Sequence, residues 1–420
     1  MTTSFSNIAT AVAQTVDIGM SVPRGNSHSA FLEEGGEVIP FSYSTFVKFV
    51  HISDLHIGKK LKEASLEEDQ RYILEQIVGI VRDVAPDGVL IAGDVYDTTT
   101  PTTEAVTMLD SFLTSLVSLG VPVFVISGNH DSPEKLGFGS RLFETNRLYI
   151  SGVFSGGLDV HTLEKDGESV DICMLPFIKP INARRAHPDD KIESYTDAVR
   201  SAIAHTELAE GRTRILVTHQ FVLFGGEKPI LCDSESVFVG GTEGVDSSVF
   251  DGFDYVALGH IHKPQNVGRE TIRYCGTPLK YSSSECNDEK SVTVVDIGEK
   301  VTISTIPLRP LRDIRILRGP LEGIIEAGKS DPHKQDFVYV ELDNDAIDAL
   351  PRLREIYPNV MSVEVTGRRK EYESFEKGSE DFDFEPVKAF EDFYERKTGS
   401  KLTDAQRRIV VETFDTEAVQ

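Results

Sequence analysis

Seven residues of the types that bind divalent metal ions stand at the ends of short, largely apolar runs. They are Asp54, His56, Asp94, Asn129, His219, His260 and His262. Apolar runs of this length are typical of strands that are buried on both faces. An ionised carboxylate beyond a buried strand, such as Asp94 after residues 89–92, is unfavourable unless a cation lies beside it. Taken alone, each residue is equally typical of a turn, a helix cap or a satisfied core histidine.

The order of these residues along the chain indicates one shared site. They form the series Asp-x-His, Gly-Asp-x-x-Asp, Gly-Asn-His-Asp, Thr-His and Gly-His-x-His, which would otherwise require five independent coincidences. Strand ends at one edge of an α/β sheet lie close together, and sites form there. Nitrogen and oxygen ligands without thiolates suit ions of the manganese, iron or zinc type rather than a structural zinc. Seven ligands are too many for one tetrahedral ion, so we expect two ions about 3.5–4 Å apart with a shared carboxylate, which suits phosphoryl transfer.

Hydrophobic periodicity predicts the elements that position the site. Apolar residues recur at helical spacing over residues 66–84 and 103–119, between strands that end at the metal-binding residues. This alternation implies parallel crossovers and therefore a sheet covered by helices.

The middle of the chain changes from alternating helices and strands to mostly strands. A hairpin is predicted over residues 158–176, with Asp166 and Gly167 at its turn. A helix at residues 193–208 and a long glycine-rich loop at 224–246 follow. A core of two sheets with helices outside accounts for both halves.

Changes in composition predict five segments. They are a disordered extension at 1–46, a catalytic domain at 47–309, a small α+β unit at 310–368, an acidic linker at 369–385 and a helical tail at 386–420. The tail helices have apolar faces without an obvious core partner, which indicates docking on another protein. Packing on the chain's own catalytic domain is the alternative.

Composition excludes several classes of protein. The net charge of −25 argues against nucleic-acid binding through bulk charge, although a metal site supplies local positive charge. No window approaches the roughly 18 apolar residues of a membrane span. The four cysteines form no CxxC pair, which argues against a zinc ribbon or a disulfide framework and predicts a cytoplasmic protein.

The ordered motifs resemble those of the calcineurin-like metallophosphoesterases. Within that superfamily the chain resembles the SbcD-type nuclease subunits of bacterial SbcCD repair complexes. The narrower resemblance rests on residues 52–58, 259–265 and 274–285, on the α+β unit and on the tail, and covers residue 46 onward. It implies an α/β fold: a four-layer αββα sandwich with a small α+β DNA-capping domain and a carboxyl-terminal helical tail.

The resemblance also implies a role for each site residue. One metal falls to Asp54, His56 and His262, and the other to Asn129, His219 and His260, with Asp94 bridging both. His130 is implied as the catalytic histidine close to the leaving oxygen, and Asp97 as the residue that orients it.

The implied activity is that of a two-metal DNA nuclease. It comprises a 3′→5′ exonuclease on double-stranded DNA and an endonuclease on hairpins or single strands, in repair, recombination and replication. The implied cofactor is a pair of divalent ions, manganese with magnesium as the alternative. The implied partner is an SbcC-type ATPase with a coiled coil, joined to a nuclease homodimer in a heterotetramer, without a membrane.

Contacts with DNA and with the partner are predicted from side-chain type. Lys59, Lys60 and Lys62 follow the first ligand pair and are candidates for DNA phosphates, with a solvated loop as the alternative. The predicted partner-binding residues of the tail are Phe390, Phe393, Tyr394, Ile409, Val410 and Phe414.

Two other interpretations share this fold. A phosphatase or cyclic-nucleotide phosphodiesterase would have the same metal ligands, and residues 276–285, the α+β unit and the tail argue against it. A catalytically inactive scaffold would lack ligands, whereas every ligand is present here.

Overall fold

The computed structural model describes most of the chain. Its described residues are 47–235, 244–344 and 346–366, the backbone of 30–34 and 37–41, and the positions 390, 391, 394, 401–403, 406, 407 and 410. The chain divides into two compact units. The first unit comprises residues 1–316, 332–339 and 357–361, and the second comprises 317–331, 340–356 and 362–420.

The strands are numbered in chain order. They are β1 (Ala30–Glu34), β2 (Glu37–Phe41), β3 (Val47–Ile52), β4 (Lys60–Leu61), β5 (Ala64–Ser65), β6 (Gly88–Ala92), β7 (Val123–Ile126), β8 (Leu148–Ser151), β9 (Asp159–Lys165), β10 (Glu168–Leu175), β11 (Thr213–His219), β12 (Val222–Leu223), β13 (Val245–Asp246), β14 (Tyr255–Gly259), β15 (Gln265–Val267), β16 (Arg269–Tyr274), β17 (Ser291–Ile297), β18 (Val301–Pro307), β19 (Ile314–Gly319), β20 (Phe337–Leu342) and β21 (Val360–Val365). The α-helices are α1 (Glu67–Val84), α2 (Thr103–Ser118), α3 (Pro133–Leu136), α4 (Ser140–Phe143), α5 (Pro180–Ala186), α6 (Tyr195–Ala204), α7 (Leu321–Gly328) and α8 (Ala349–Arg354).

The first unit contains two six-stranded sheets. One has the order β18-β17-β3-β6-β7-β8, with β3, β6, β7 and β8 parallel. The other has the order β15-β16-β14-β11-β10-β9, with β10, β11, β14 and β16 parallel. In both sheets, antiparallel strands continue the parallel core at its edges. The carboxyl ends of the parallel strands therefore meet at one edge of each sheet.

The two sheets and their covering helices form four layers. Residues alternate between faces in β6: Val89 and Ile91 pack toward α1 and α2, whereas Leu90 and Ala92 belong to the apolar layer between the sheets. A third apolar cluster joins the outer face of the second sheet to α6 through Val199 and other residues. Burial on both faces explains why these strands are continuously apolar. The predicted αββα sandwich is confirmed.

Most predicted elements of this unit are present. Helix α2 begins after Thr102, whose side-chain oxygen accepts a hydrogen bond from the Ala105 amide. The hairpin of β9 and β10 turns at Asp166 and Gly167, as predicted. Strands β8, β15 and β16 and helix α5 were not predicted from the sequence. Of these, β15 has only 3 residues and β16 has only 6, with the apolar side chains confined to the end of each strand, so their period is weak.

The carboxyl-terminal strands β19, β20 and β21 form a three-stranded sheet in that order. Together with helices α7 and α8, these strands give this part of the chain both helical and strand structure. Helix α8 is short, with 6 residues. Within the second unit, Arg352 of α8 pairs with Glu322 of α7 at 2.7 Å.

Two further segments were predicted outside the sandwich. In the segment predicted to be disordered, β1 and β2 pair in antiparallel fashion, and the rest of residues 1–46 lies outside the described residues. The acidic linker 369–385 also lies outside them. Among the residues that the structure describes, no helix is both long and apolar enough to cross a membrane.

Candidate metal centre

The backbone bends sharply where the strands deliver the predicted ligands. Asp54, His56, Asp94 and His260 have φ angles of 52°, 44°, 48° and 101°, in the left-handed region that residues other than glycine seldom adopt. The loops after β3 and β6 are tied together, because the Asp54 and His56 amides donate to the carbonyls of Gly93 and Asp94, both at 3.0 Å. Strained backbone held in this way is a feature of functional sites.

Two glycines allow the loops to approach one another. A Cβ atom at Gly128 would collide with the carboxylate of Asp94. Gly93 has a φ of 85°, and a Cβ there would lie 2.5 Å from Nδ1 of His219. Because glycine lacks a Cβ, the ligand loops can pack backbone against side chain at these two points.

One group of predicted ligands consists of Asp54, His56 and His262. Each offers a ligand atom within 4.8 Å of the others, and all three residues are buried. The Nε2 atoms of His56 and His262 are 3.2 Å apart. The Asp54 carboxylate accepts hydrogen bonds from the His260 amide at 3.0 and 3.1 Å. Donor atoms about 3 Å apart match neighbouring ligands around an ion bound at about 2.1 Å.

The other predicted ligands form a second group beside the first. Nε2 of His219 lies 3.3 Å from Oδ2 of Asp94 and 3.0 Å from Oδ1 of Asn129. Nδ1 of His260 lies 2.8 Å from the same Asn129 oxygen. Oδ2 of Asp94 is also 3.8 Å from Nε2 of His56, so this carboxylate faces both groups. The structure therefore brings all seven predicted ligands together.

The hydrogen bonds of the imidazole rings make this set of atoms suitable for binding metal ions. Nδ1 of His219 faces the Ala92 carbonyl at 2.8 Å, and a carbonyl only accepts, so this nitrogen bears a proton. Nε2 is then the atom that faces Asp94 and Asn129, whose oxygens are acceptors. Several acceptor atoms converging on one buried point require a positive charge, which a metal ion would supply and which a proton on Nε2 of His219 supplies in its absence.

Burial and charge set the protonation of the site. Burial lowers the pKa of His56 and His262, and it lowers that of His260 to about 3. These rings are therefore neutral and offer lone pairs. Burial raises the pKa of Asp54 to about 7.

Asp94 and His219 stabilise each other's charged forms. Burial opposes ionisation of Asp94, but the imidazole of His219 outweighs it and holds the pKa of this carboxyl well below its ordinary value. Burial likewise opposes protonation of His219, but Asp94 raises the pKa of its imidazole to about 9. The pair thus provides an ionised carboxylate at the centre of the ligand set.

His130 lies at the edge of the ligand set and is half-buried. Its amide donates to Oδ1 of Asp94 at 2.8 Å, and its Nδ1 lies 2.8 Å from the main-chain carbonyl of Asp97. The expected orientation of His130 by Asp97 thus occurs through the main chain rather than the carboxylate. The Asp97 carboxylate lies instead 3.3 Å from Nδ1 of His56 and 2.7 Å from the ammonium of Lys59.

The three candidate lysines differ in their surroundings. Lys59 has a side chain only 16% exposed, paired with Asp97 and lying 5.5 Å from the ring centre of Tyr281. The Lys62 ammonium donates to the Met361 carbonyl at 3.0 Å. Lys60 is exposed. Lys60 therefore stays a candidate for a phosphate contact, whereas Lys59 has a partner inside the site.

Sequence reasoning missed several residues that position the site. The buried carboxylate of Asp131 accepts hydrogen bonds from the amides of Val95, Tyr96 and Gly128 at 2.8–3.1 Å. It therefore joins the loop after β6 to the loop after β7. Asp131 is the last residue of the Gly-Asn-His-Asp motif, and this position was the sequence signal that could have identified it. Gln70 of α1 donates to the His56 carbonyl at 2.7 Å, and no sequence signal distinguished it from other helical glutamines.

The predicted partner-binding residues of the tail are only partly described. Phe390 is helical and 37% exposed, and Tyr394 and Val410 are also helical. The two tail segments are joined by an ion pair of 2.6 Å between Glu391 and Arg407. Phe393, Ile409 and Phe414 lie outside the described residues.

The two-sheet sandwich and the ligand set at its strand ends define a class of metal-dependent phosphoesterases. The family model described as Calcineurin-like phosphoesterase matches residues 47–264. The SbcD_C model, described as Type 5 capsule protein repressor C-terminal domain, matches residues 310–398. The D subunit of the SbcCD nuclease from Staphylococcus epidermidis is 35% identical over 325 residues, 76% of this chain and 85% of that protein. The chain belongs to the calcineurin-like phosphoesterases and, within them, to the SbcD family of nuclease subunits.

Two solved structures match this chain at low identity and low TM-score. A dimetal phosphatase from Danio rerio is 12% identical, with a TM-score of 0.37 over 64% of this chain and 98% of that one. The protein TT1561 of Thermus thermophilus is 10% identical, with a TM-score of 0.36 over 62% of this chain and 99% of that one. Neither likeness adds to the assignment.

Proposed function

We propose that this protein cleaves DNA phosphodiesters as a 3′→5′ exonuclease on duplex ends and as an endonuclease on hairpins and single strands. The observation that carries the proposal is the pair of adjacent ligand groups that share Asp94. Two divalent ions held there, manganese in our proposal, would lower the pKa of an attacking water and neutralise charge on the phosphate. One ion falls to Asp54, His56 and His262, and the other to Asn129, His219 and His260.

His130 is suited to the proton transfer at the leaving group. Because its Nδ1 faces the Asp97 carbonyl, which cannot donate, Nδ1 is the protonated nitrogen of the neutral ring. Nε2 is then the nitrogen that gains and loses a proton. A protonated Nε2 would donate to the 3′ oxygen as the phosphorus–oxygen bond breaks. His130 therefore acts as a general acid, and the Asp97 carbonyl holds its ring in place.

The domain boundaries and the partner form part of the proposal. We infer a nuclease domain at 47–309, a DNA-capping domain at 310–368 and a partner-binding tail at 386–420. The SbcD_C match over 310–398 supports a shared carboxyl-terminal region. The name of the staphylococcal relative, which makes it part of SbcCD, supports pairing with an SbcC-type ATPase in the repair of DNA double-strand breaks.

Homodimer formation is proposed for the surface next to the site. Phe138 and Leu142 are 82% and 75% exposed, and Val106 of α2 is 46% exposed. The Lys135 ammonium of α3 donates to the Thr99 carbonyl at 2.8 Å, so α3 lies close to the start of α2. Exposed apolar side chains on neighbouring segments are typical of protein interfaces.

A phosphatase or cyclic-nucleotide phosphodiesterase is the competing function. We would compare digestion of an end-labelled duplex with hydrolysis of a small phosphomonoester, each with manganese, with and without the ATPase. Preferential digestion of the duplex, lost in His130→Asn at unchanged manganese content, supports the nuclease. Preference for the phosphomonoester would overturn the proposal, and full duplex digestion by His130→Asn would overturn the role of His130.

A further inference from the structure

A buried network fixes both the main chain and the ring of His262. Its carbonyl accepts from the Lys290 ammonium at 3.0 Å and from the Thr277 amide at 3.1 Å. Its amide donates to Oε1 of Glu235 at 2.5 Å. Its ring is held from the other side, because Nδ1 lies 2.7 Å from the hydroxyl of Ser234. These contacts leave only Nε2 to face His56.

The hydroxyl of Ser234 has a definite hydrogen-bond direction. It lies 2.7 Å from Oε1 of Glu285 and 3.0 Å from Sγ of Cys232, besides Nδ1 of His262. A serine hydroxyl has one proton to donate and two lone pairs. A carboxylate only accepts, so that proton goes to Glu285, and the lone pairs accept from Cys232 and His262. Nδ1 of His262 must therefore carry a proton.

Glu285 is held as an acceptor by its own partners. Its Oε2 lies 2.7 Å from the Lys290 ammonium, and the two side chains are 0% and 4% exposed. Its Oε1 also accepts from the Ser282 hydroxyl at 2.9 Å and the Tyr281 amide at 3.2 Å. A buried carboxylate with this many donors around it stays ionised and cannot supply a proton to Ser234.

We propose that Ser234 and Glu285 are positioning residues for His262, which keep its proton on Nδ1 and leave Nε2 free to bind metal. This inference rests on the proposed function, because it takes His262 as a metal ligand. Without the Ser234 hydroxyl, Nδ1 would lose its acceptor and the proton could move to Nε2, where it blocks the ligand atom. Carboxylates that act on ligating histidines in this way usually bond them directly, whereas here a serine intervenes.

The test is calorimetric titration of the metal-free full chain with Mn²⁺ alone. We expect Ser234→Ala to weaken one of two binding steps by about 10- to 100-fold, the usual effect of losing such a partner. Ser234→Thr, which keeps a hydroxyl, should restore it. Ser248→Ala is the matched control, because that serine also donates to a carboxylate, Asp246, but at an exposed position. His262→Ala should lose the same step entirely.

The outcomes separate the inference from the proposed function. If His262→Ala binds Mn²⁺ as the unchanged chain does, the proposed ligand set is wrong. If His262→Ala loses a step and Ser234→Ala does not, the ligand set stands and the positioning role is wrong. As a second readout, ¹⁵N spectra of the metal-free protein should show the His262 proton on Nδ1, and moved to Nε2 in Ser234→Ala. An unchanged tautomer would also overturn the inference.

Discussion

The ammonium of Lys59 lies 2.7 Å from the carboxylate of Asp97. Asp97 in turn contacts His56 through its carboxylate and His130 through its carbonyl. We therefore expect Lys59 to act inside the site rather than as a contact for DNA phosphates. The ion pair between Lys59 and Asp97 thus holds the residue that contacts both His56, a proposed metal ligand, and His130, the proposed general acid.

Replacement of Lys59 should impair turnover rather than DNA binding. We expect Lys59→Met to lower kcat on duplex DNA by about 10-fold or more, the scale of a lost supporting contact, with KM little changed. Lys60→Met is the control, and it should weaken DNA binding. It should also reduce the salt dependence of the DNA-binding constant by about the contribution of one phosphate contact. Steady-state kinetics and binding at several salt concentrations would distinguish the two. Equal losses of salt dependence in both variants would contradict this role for Lys59.

Replacement of Asp94 should lower the bound metal content more than replacement of any other ligand. Its Oδ2 faces His56 in one group and His219 in the other, so Asp94→Ala should abolish binding of both ions. Loss of a terminal ligand, as in His262→Ala, should affect one ion. Elemental analysis after dialysis against Mn²⁺ measures this difference. Retention of one tightly bound ion by Asp94→Ala would argue against a bridging carboxylate.

Asp131 should stabilise the folded protein even when no metal is bound. Its removal leaves the amides of Val95, Tyr96 and Gly128 without their acceptor. We expect Asp131→Ala to lower the free energy of unfolding by about 2–4 kcal/mol. Urea denaturation in the presence of a chelator measures it, with Asp189→Ala at an exposed position as the control. Equal stability of the two variants would show that water replaces the carboxylate at no cost.

The exposed apolar side chains near the site should control self-association. A charge at Phe138 or Leu142 would be buried without a partner if this surface forms a dimer, so Leu142→Glu should give monomers. Ile347→Glu replaces an isoleucine that is 88% exposed in the second unit and serves as the control. Sedimentation analysis reports the mass. A Leu142→Glu protein that remains as associated as the control would rule out this surface.

The tail should be dispensable for the metal site and necessary for the partner. A chain that ends at Glu385 should bind Mn²⁺ as the full chain does, because all seven proposed ligands precede it. It should no longer copurify with an SbcC-type ATPase. Coexpression followed by affinity purification provides the measurement, with the full chain in parallel. Continued copurification would place the docking surface elsewhere in the chain.

The sequence by itself determined the fold class and predicted the set of proposed ligands. Runs such as 89–92 are apolar because both faces of their strands are buried, and that signal is local. The ligands follow the strands directly, so their convergence could be predicted from the rule that parallel strands end at one edge. Where the period was weak, as in β15 and β16, the strands were missed.

Only the tertiary structure decided which groups support those ligands. Ser234 lies 28 residues from His262, and Glu285 lies 51 residues from Ser234. No periodicity relates such positions, because loops of variable path bring them together. The same limit applies to Asp97, where the sequence named the residue and the fold selected its carbonyl for His130 and its carboxylate for Lys59. A hydrogen bond depends on atomic direction within a few tenths of an ångström, and that precision arises only when the loops are packed.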